Sequence, residues 1–120
     1  MNSVNLTGRL LNDPVRRDTT RGVVAEFRLT VDGRTTVRID IETWGHVAGA
    51  VATHLVAGRH VAVTGRWAQR EYHDRDHNKR HRDYVIADRL TYLDNPRPRT
   101  NDDQVAPDGS TLSADEPLSR

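Results

Sequence analysis

The chain has 120 residues, enough for one domain, and no cysteine, which excludes disulfides, thiol chemistry and Cys-ligated zinc. No apolar run approaches the ~20 residues of a membrane-spanning helix, and Asn2-Ser3 leads straight into a strand pattern, so a cytoplasmic protein without a signal peptide is expected. The formal net charge of +1 is uneven: residues 1–93 carry 15 basic against 11 acidic side chains, a balance of +4, and residues 94–120 three against six, a balance of −3.

Lys79 is the one lysine; the rest of that basic charge is arginine. Arginine suits bidentate phosphate contact and stacking on bases, and a basic body with an acidic tail fits a polyanion partner. Codon bias in a GC-rich genome is the bland alternative for the arginine excess.

In chain order, Val4, Leu6 and Gly8 alternate with Asn5, Thr7 and Arg9, the period of a half-buried strand. Asn12-Asp13-Pro14 and Thr19-Thr20-Arg21-Gly22 read as turns. Val23 to Val31 is a second strand, with Ala25, Phe27, Leu29 and Val31 on one face. Asp32-Gly33 signals a hairpin into a third strand beginning near Thr36, where Val37, Ile39 and Ile41 alternate with Arg38, Asp40 and Glu42. At Gly45 the period changes: Val47, Ala50, Val51, His54 and Leu55 form one stripe of a helix, which Gly58 is expected to end in the left-handed conformation. Arg59 to Tyr72 is a long fourth strand in which Gly65 marks a bend or bulge. Residues 73–83 read as a charged hairpin tip and Tyr84 to Leu93 as a fifth strand. Five strands with one helix between the third and fourth is an all-β OB-fold barrel. From Asn95 the composition shifts to Pro, Asp, Ser and Gly, so residues 1–94 are expected to be the folded domain and 95–120 a disordered acidic tail.

Three blocks in this order resemble a known family. V-N-L-T-G-R-L-L-N-D-P-V-R-R from Val4 to Arg17, V-A-E-F-R-L-T from Val24 to Thr30, and the unbroken run from Trp44 to Tyr72 are similar to bacterial single-stranded DNA-binding proteins, over roughly residues 3 to 93. Trp44 is similar to the actinobacterial branch. The resemblance implies an OB fold, binding of single-stranded DNA without strong sequence preference and a homotetramer, with Val4 to Arg9 and the outer barrel as interface. It matches Trp44 and Tyr72 to base-stacking positions and Arg70 to a basic position. The chain departs from the family in three places. The hairpin after the second strand is short and lacks an aromatic, a stacking Trp is matched by Arg38, and the end D-E-P-L-S-R lacks the Pro-Phe tip that recruits repair and replication enzymes. These departures fit an auxiliary, phage or plasmid version, and tip-mediated recruitment is not carried over.

The candidate DNA-binding set is therefore Trp44, Tyr72, Arg70, Arg66, Arg38, Arg28, Arg9 and His46. Trp44 falls on the polar face of its strand, where a large aromatic suits base stacking; covering the helix start is the alternative. Arg66, Ala68, Arg70 and Tyr72 share a face, an arginine run leading to an aromatic, while Trp67 points the other way. Arg28 and Arg38 would lie side by side across a tight hairpin, with pairing to Asp40 or Glu26 as the alternative. His73, His77 and His81 are spaced by four and could hold zinc on a helix, but nothing supports a helix there, and neither a metal nor another cofactor is expected. No nucleophile elbow or phosphate-cradling Gly loop appears, so no enzyme is expected. A protein-interaction OB module with weak DNA binding stays open beside the single-strand binder.

Overall fold

The computed structural model describes residues 1–94 and, further along, the backbone of Thr111–Ser113. In chain order the elements are β1 (Val4–Leu10), β2 (Val15–Thr19), β3 (Gly22–Val31), β4 (Val37–Trp44), α1 (Gly45–His54), β5 (His60–His73), β6 (Lys79–Tyr92) and β7 (Thr111–Ser113). β1 pairs β5, β5 pairs β6, β6 pairs β4, β4 pairs β3, and β3 returns to β1. The five strands close into a ring, with α1 between its third and fourth members in sequence. This is the OB-fold barrel, and closure removes the free edges that an open sheet exposes. All ring pairings are antiparallel except β4 with β6.

The alternating residues fill the barrel. Ala25, Phe27 and Leu29 of β3, Ile41 of β4, Val61 and Val63 of β5, and Val85, Ala87 and Leu90 of β6 are all buried in one cluster. Val47, Ala48, Val51 and Leu55 join it from the α1 segment. Two glycines permit the tight closure. A side chain on Gly8 would run into the Thr30 carbonyl oxygen, where β1 passes from β5 to β3, and one on Gly65 into the Ile86 carbonyl oxygen. Beside Gly65 the register slips, Thr64 facing Arg89 and Gly65 facing Ala87, so Asp88 is the extra residue of a bulge. The bend expected at Gly65 is there.

Four local features differ from the sequence reading. β2 was not expected: Val15-Arg16-Arg17-Asp18-Thr19 holds one apolar residue, so it has no alternation to detect. It forms because its backbone pairs with β3 from Gly22 to Glu26. Asn12 bridges the break before it, its side-chain oxygen accepting from the Arg28 N–H at 2.9 Å. The helix ends at His54 with Leu55 extended, so Gly58 (φ +93°) serves instead the turn that enters β5, where the Arg59 N–H donates to the Val56 carbonyl. The β3–β4 loop is longer than a two-residue turn, since Val31 pairs with Val37. Lastly, β6 begins at Lys79, so the expected tip shrinks to residues 74–78.

Most of the expected tail lies outside the described residues. Within it, Thr111–Ser113 forms β7, antiparallel to Arg89–Thr91 of β6. No helix among the described residues is long and apolar enough to cross a membrane.

Candidate nucleic-acid interface

β3, β4 and β6 lie side by side, and their polar faces line a groove of about 320 Å³. Arg28, Asp40, Glu42, Arg70, Arg82 and Tyr84 stand along it, with the buried core residues Phe27 and Ile41 beneath. A second groove of about 400 Å³ adjoins it and shares Arg28, Asp40 and Arg82; Arg38 lines it as well.

Glu42 anchors one end. It is only 5 % exposed, and a buried carboxylate needs donors. It accepts from Trp44 Nε1 at 2.9 Å and from Arg70 Nη2 at 3.4 Å. Arg70 also lies over the Tyr84 ring, 4.8 Å from its centroid, and donates to the Tyr84 hydroxyl at 3.3 Å. Burial works against the charge on Arg70, but Tyr84 and Glu42 outweigh it and its pKa is raised. The result is an indole, a guanidinium and a phenol held around one carboxylate. Planar groups of this kind stack on nucleobases without regard to sequence.

Asp40 anchors the middle. Arg28 Nε donates to its Oδ1 at 3.0 Å and Arg82 Nε to its Oδ2 at 2.9 Å. The β3–β4 register sets Arg28 opposite Asp40 and Arg38 opposite Thr30. Arg28 and Arg38 are therefore not directly paired, because the long loop shifts the register; they are diagonal neighbours that meet in the second groove. Arg38 makes no ion pair among the described residues.

Trp44 lines neither groove and reaches the first only through its bond to Glu42, and the remaining candidates lie outside both. Arg66 is on β5, 3.7 Å from the bulge residue Asp88. Tyr72 is exposed near the hairpin end, opposite Arg80. Arg9 on β1 donates to the Gly58 carbonyl at 3.0 Å, and His46 is an exposed residue in the first turn of α1. Arg82 and Tyr84 were missed. Arg82 fell in the stretch read as hairpin tip and Tyr84 at the first residue of the expected fifth strand, and their alternation with Asp83 and Val85 was the available signal. The charge of the groove also differs from a simple basic strip: its lining holds three arginines (Arg28, Arg70, Arg82) and three acids (Glu26, Asp40, Glu42).

The β5–β6 hairpin projects beside this face, and Asp74 organises its tip. Oδ1 accepts from the backbone N–H groups of Asp76 and Asn78, both at 2.9 Å, and Oδ2 from Arg80 Nε at 2.9 Å. The Arg80 bond first, then the Asn78 N–H, hold this carboxyl below its ordinary value. A depressed folded pKa means stabilisation that is complete above the unfolded value and is lost as pH falls through the folded one. The amide shifts of Asp76 and Asn78 should therefore titrate together, with a midpoint below 3.8. Asp74→Ala should abolish that titration and speed exchange of both amides at neutral pH, leaving barrel amides protected. A midpoint at or above 3.8 would refute this account of the tip.

A five-strand OB barrel is what the sequence resemblance implied, and the chain matches the Single-strand binding protein family over residues 1–93. The chain belongs to that family. Relatives include single-stranded DNA-binding protein 3 of Clostridium acetobutylicum, 33% identical over 103 positions that cover 78% of this chain and 72% of the relative. The single-stranded DNA-binding protein of Caldanaerobacter subterraneus subsp. tengcongensis is 38% identical over 103 positions, 78% of this chain and 69% of the relative. That of Thermotoga maritima is 32% identical over 104 positions, 78% and 74% respectively.

Proposed function

We propose that this chain binds single-stranded DNA without strong sequence preference, through the groove across β3, β4 and β6, and that it takes part in no catalytic step. Membership in the single-strand binding family supports the ligand. The observation that carries the site is the cluster of Trp44, Arg70 and Tyr84 around Glu42, continued by Arg28, Arg82 and Arg38. Bases stack on the planar groups and phosphates meet the arginines. Tyr72, Arg66, Arg9 and His46 belong to the same proposal as outer contacts along a strand that wraps beyond the groove.

The finer reading is protection of single strands in replication, recombination or repair, in the cytoplasm at the nucleoid, by a homotetramer or a dimer. Residues 1–94 are the binding domain and 95–120 an acidic tail. Trp67, a large apolar side chain 41% exposed, supports an apolar contact between copies.

Titration with poly(dT) at two salt concentrations, read by Trp fluorescence in a Trp67→Phe background, tests the proposal. Quenching and tight, salt-sensitive binding are expected. The balanced charge of the groove lining favours one rival, a protein-docking OB module, and absence of binding at low salt would decide for it. In the same titration log K should fall linearly with log salt, by ~0.7 per phosphate for a single strand. Arg70→Ala should lower that slope by about 0.7 per site. An unchanged slope would remove Arg70 from the phosphate contacts.

A further inference from the structure

We propose that Arg28, Asp40 and Arg82 form one composite site for a single internucleotide phosphate, in which Asp40 is the positioning residue. The inference rests on the single-strand-binding reading of the groove and deepens it.

The argument starts from charge. Among the acids that line the groove, Glu42 is paired by Arg70 and Glu26 by Arg17 at 2.8 Å. Asp40 alone carries two arginines. One carboxylate cannot neutralise two guanidinium groups, so the trio keeps one positive charge, while the charges of Glu42 and Glu26 are met by Arg70 and, from outside the lining, by Arg17. A phosphodiester carries one negative charge.

Geometry gives the same answer. Both arginines use Nε toward Asp40, one on each carboxylate oxygen. Their Nη1 and Nη2 groups make no hydrogen bond among the described residues. Each guanidinium is thus held by its side with its terminal donors unused, the arrangement that binds phosphate oxygens. Holding matters because an unrestrained arginine loses rotamer freedom on binding, a cost that a pre-positioned one has already met. The arginines are about half exposed, whereas the Asp40 side chain is 19 % exposed, so the anchor is sheltered and the donors are open. The trio also lines both grooves. A backbone passing from the Trp44–Tyr84 end toward Arg38 crosses it.

The test is a double-mutant cycle on the full chain with poly(dT) over a range of salt. Arg28→Ala and Arg82→Ala should each weaken binding about tenfold, the order of one charge-assisted hydrogen bond. The double variant should be close to tenfold as well, and each of the three should lower the salt slope by about 0.7, one phosphate. Additive losses, with a slope that falls by about 1.4 in the double variant, mean two independent contacts and overturn the proposal. So does unchanged affinity in both single variants.

Asp40→Asn provides the second reading. It adds charge to the groove, which tightens binding at low salt, but the amide oxygen can hold only one of the two arginines. At high salt, where the added charge is screened, Asp40→Asn should bind more weakly than the parent. Tighter binding at high salt overturns the positioning role. Circular dichroism confirms folding of these largely exposed variants. If the parent chain fails to bind poly(dT), the single-strand reading falls, and this one with it; if the parent binds and the cycle is additive, only this one falls.

Discussion

Ile41→Ala should destabilise the fold by ~2–5 kcal/mol, the range for truncating a fully buried isoleucine. Ile41 has no exposed surface. It lies on β4 between Phe27 of β3 and Val85 of β6, each in direct register. The strands on both sides are bonded into the closed ring, so the barrel cannot easily collapse to fill the vacancy. That places the cost toward the upper part of the range. Ile41 lies between the groove residues Asp40 and Glu42 on β4, so a shift of the strand at the cavity should also weaken poly(dT) binding where the variant remains folded. Urea unfolding monitored by circular dichroism gives the stability, with the parent chain alongside. A loss below ~1 kcal/mol, like that of a well-tolerated swap, would mean that the barrel relaxes around this position and that its closure is less rigid than described.

Trp44→Ala should weaken poly(dT) binding by ~1–3 kcal/mol, the usual worth of one base stacked on an aromatic ring. Trp44 closes β4 and stands at the N-cap of α1 with extended backbone and no capping side-chain bond. Its backbone role therefore survives the substitution. What is lost is a half-buried indole whose Nε1 is tied to Glu42. That bond fixes the ring against the same carboxylate that holds Arg70, so the indole and the guanidinium are set before any ligand arrives. Trp44→Phe should keep most of the affinity, since the ring remains and only the Glu42 bond goes. Unfolding curves for both variants separate stability from binding. A Trp44→Ala protein that folds as the parent does and binds equally well would make the indole a cover for the helix start, the alternative its sequence position also allowed.

How much of this was legible differs from element to element. The strand around Ile41 and the helix after Trp44 announce themselves by period, because burial on one face imposes alternation in a strand and a three-to-four spacing in a helix. Gly65 was legible as a bend for a steric reason: where two strands approach closely, a missing side chain is the requirement. β2 was not legible, because backbone pairing alone holds it and leaves no mark on side-chain pattern. The start of β6 was hidden for a similar cause. Lys79 to Arg82 are all exposed, so no buried face reveals the strand, and Arg82 was lost with it as a site residue.

By itself, the sequence determined the barrel strands, the single helix and the kinds of side chain available for a polyanion: arginines interleaved with Trp44, Tyr72 and Tyr84. The tertiary structure decided which of them meet. The loop after Val31 sets the β3–β4 register and so puts Asp40, not Arg38, across from Arg28. The parallel pairing of β4 with β6 then brings Arg82, 42 residues further along the chain, onto the other oxygen of Asp40. Contacts at that separation leave no local period, because they depend on where a closed barrel brings its strands together rather than on neighbours in the chain.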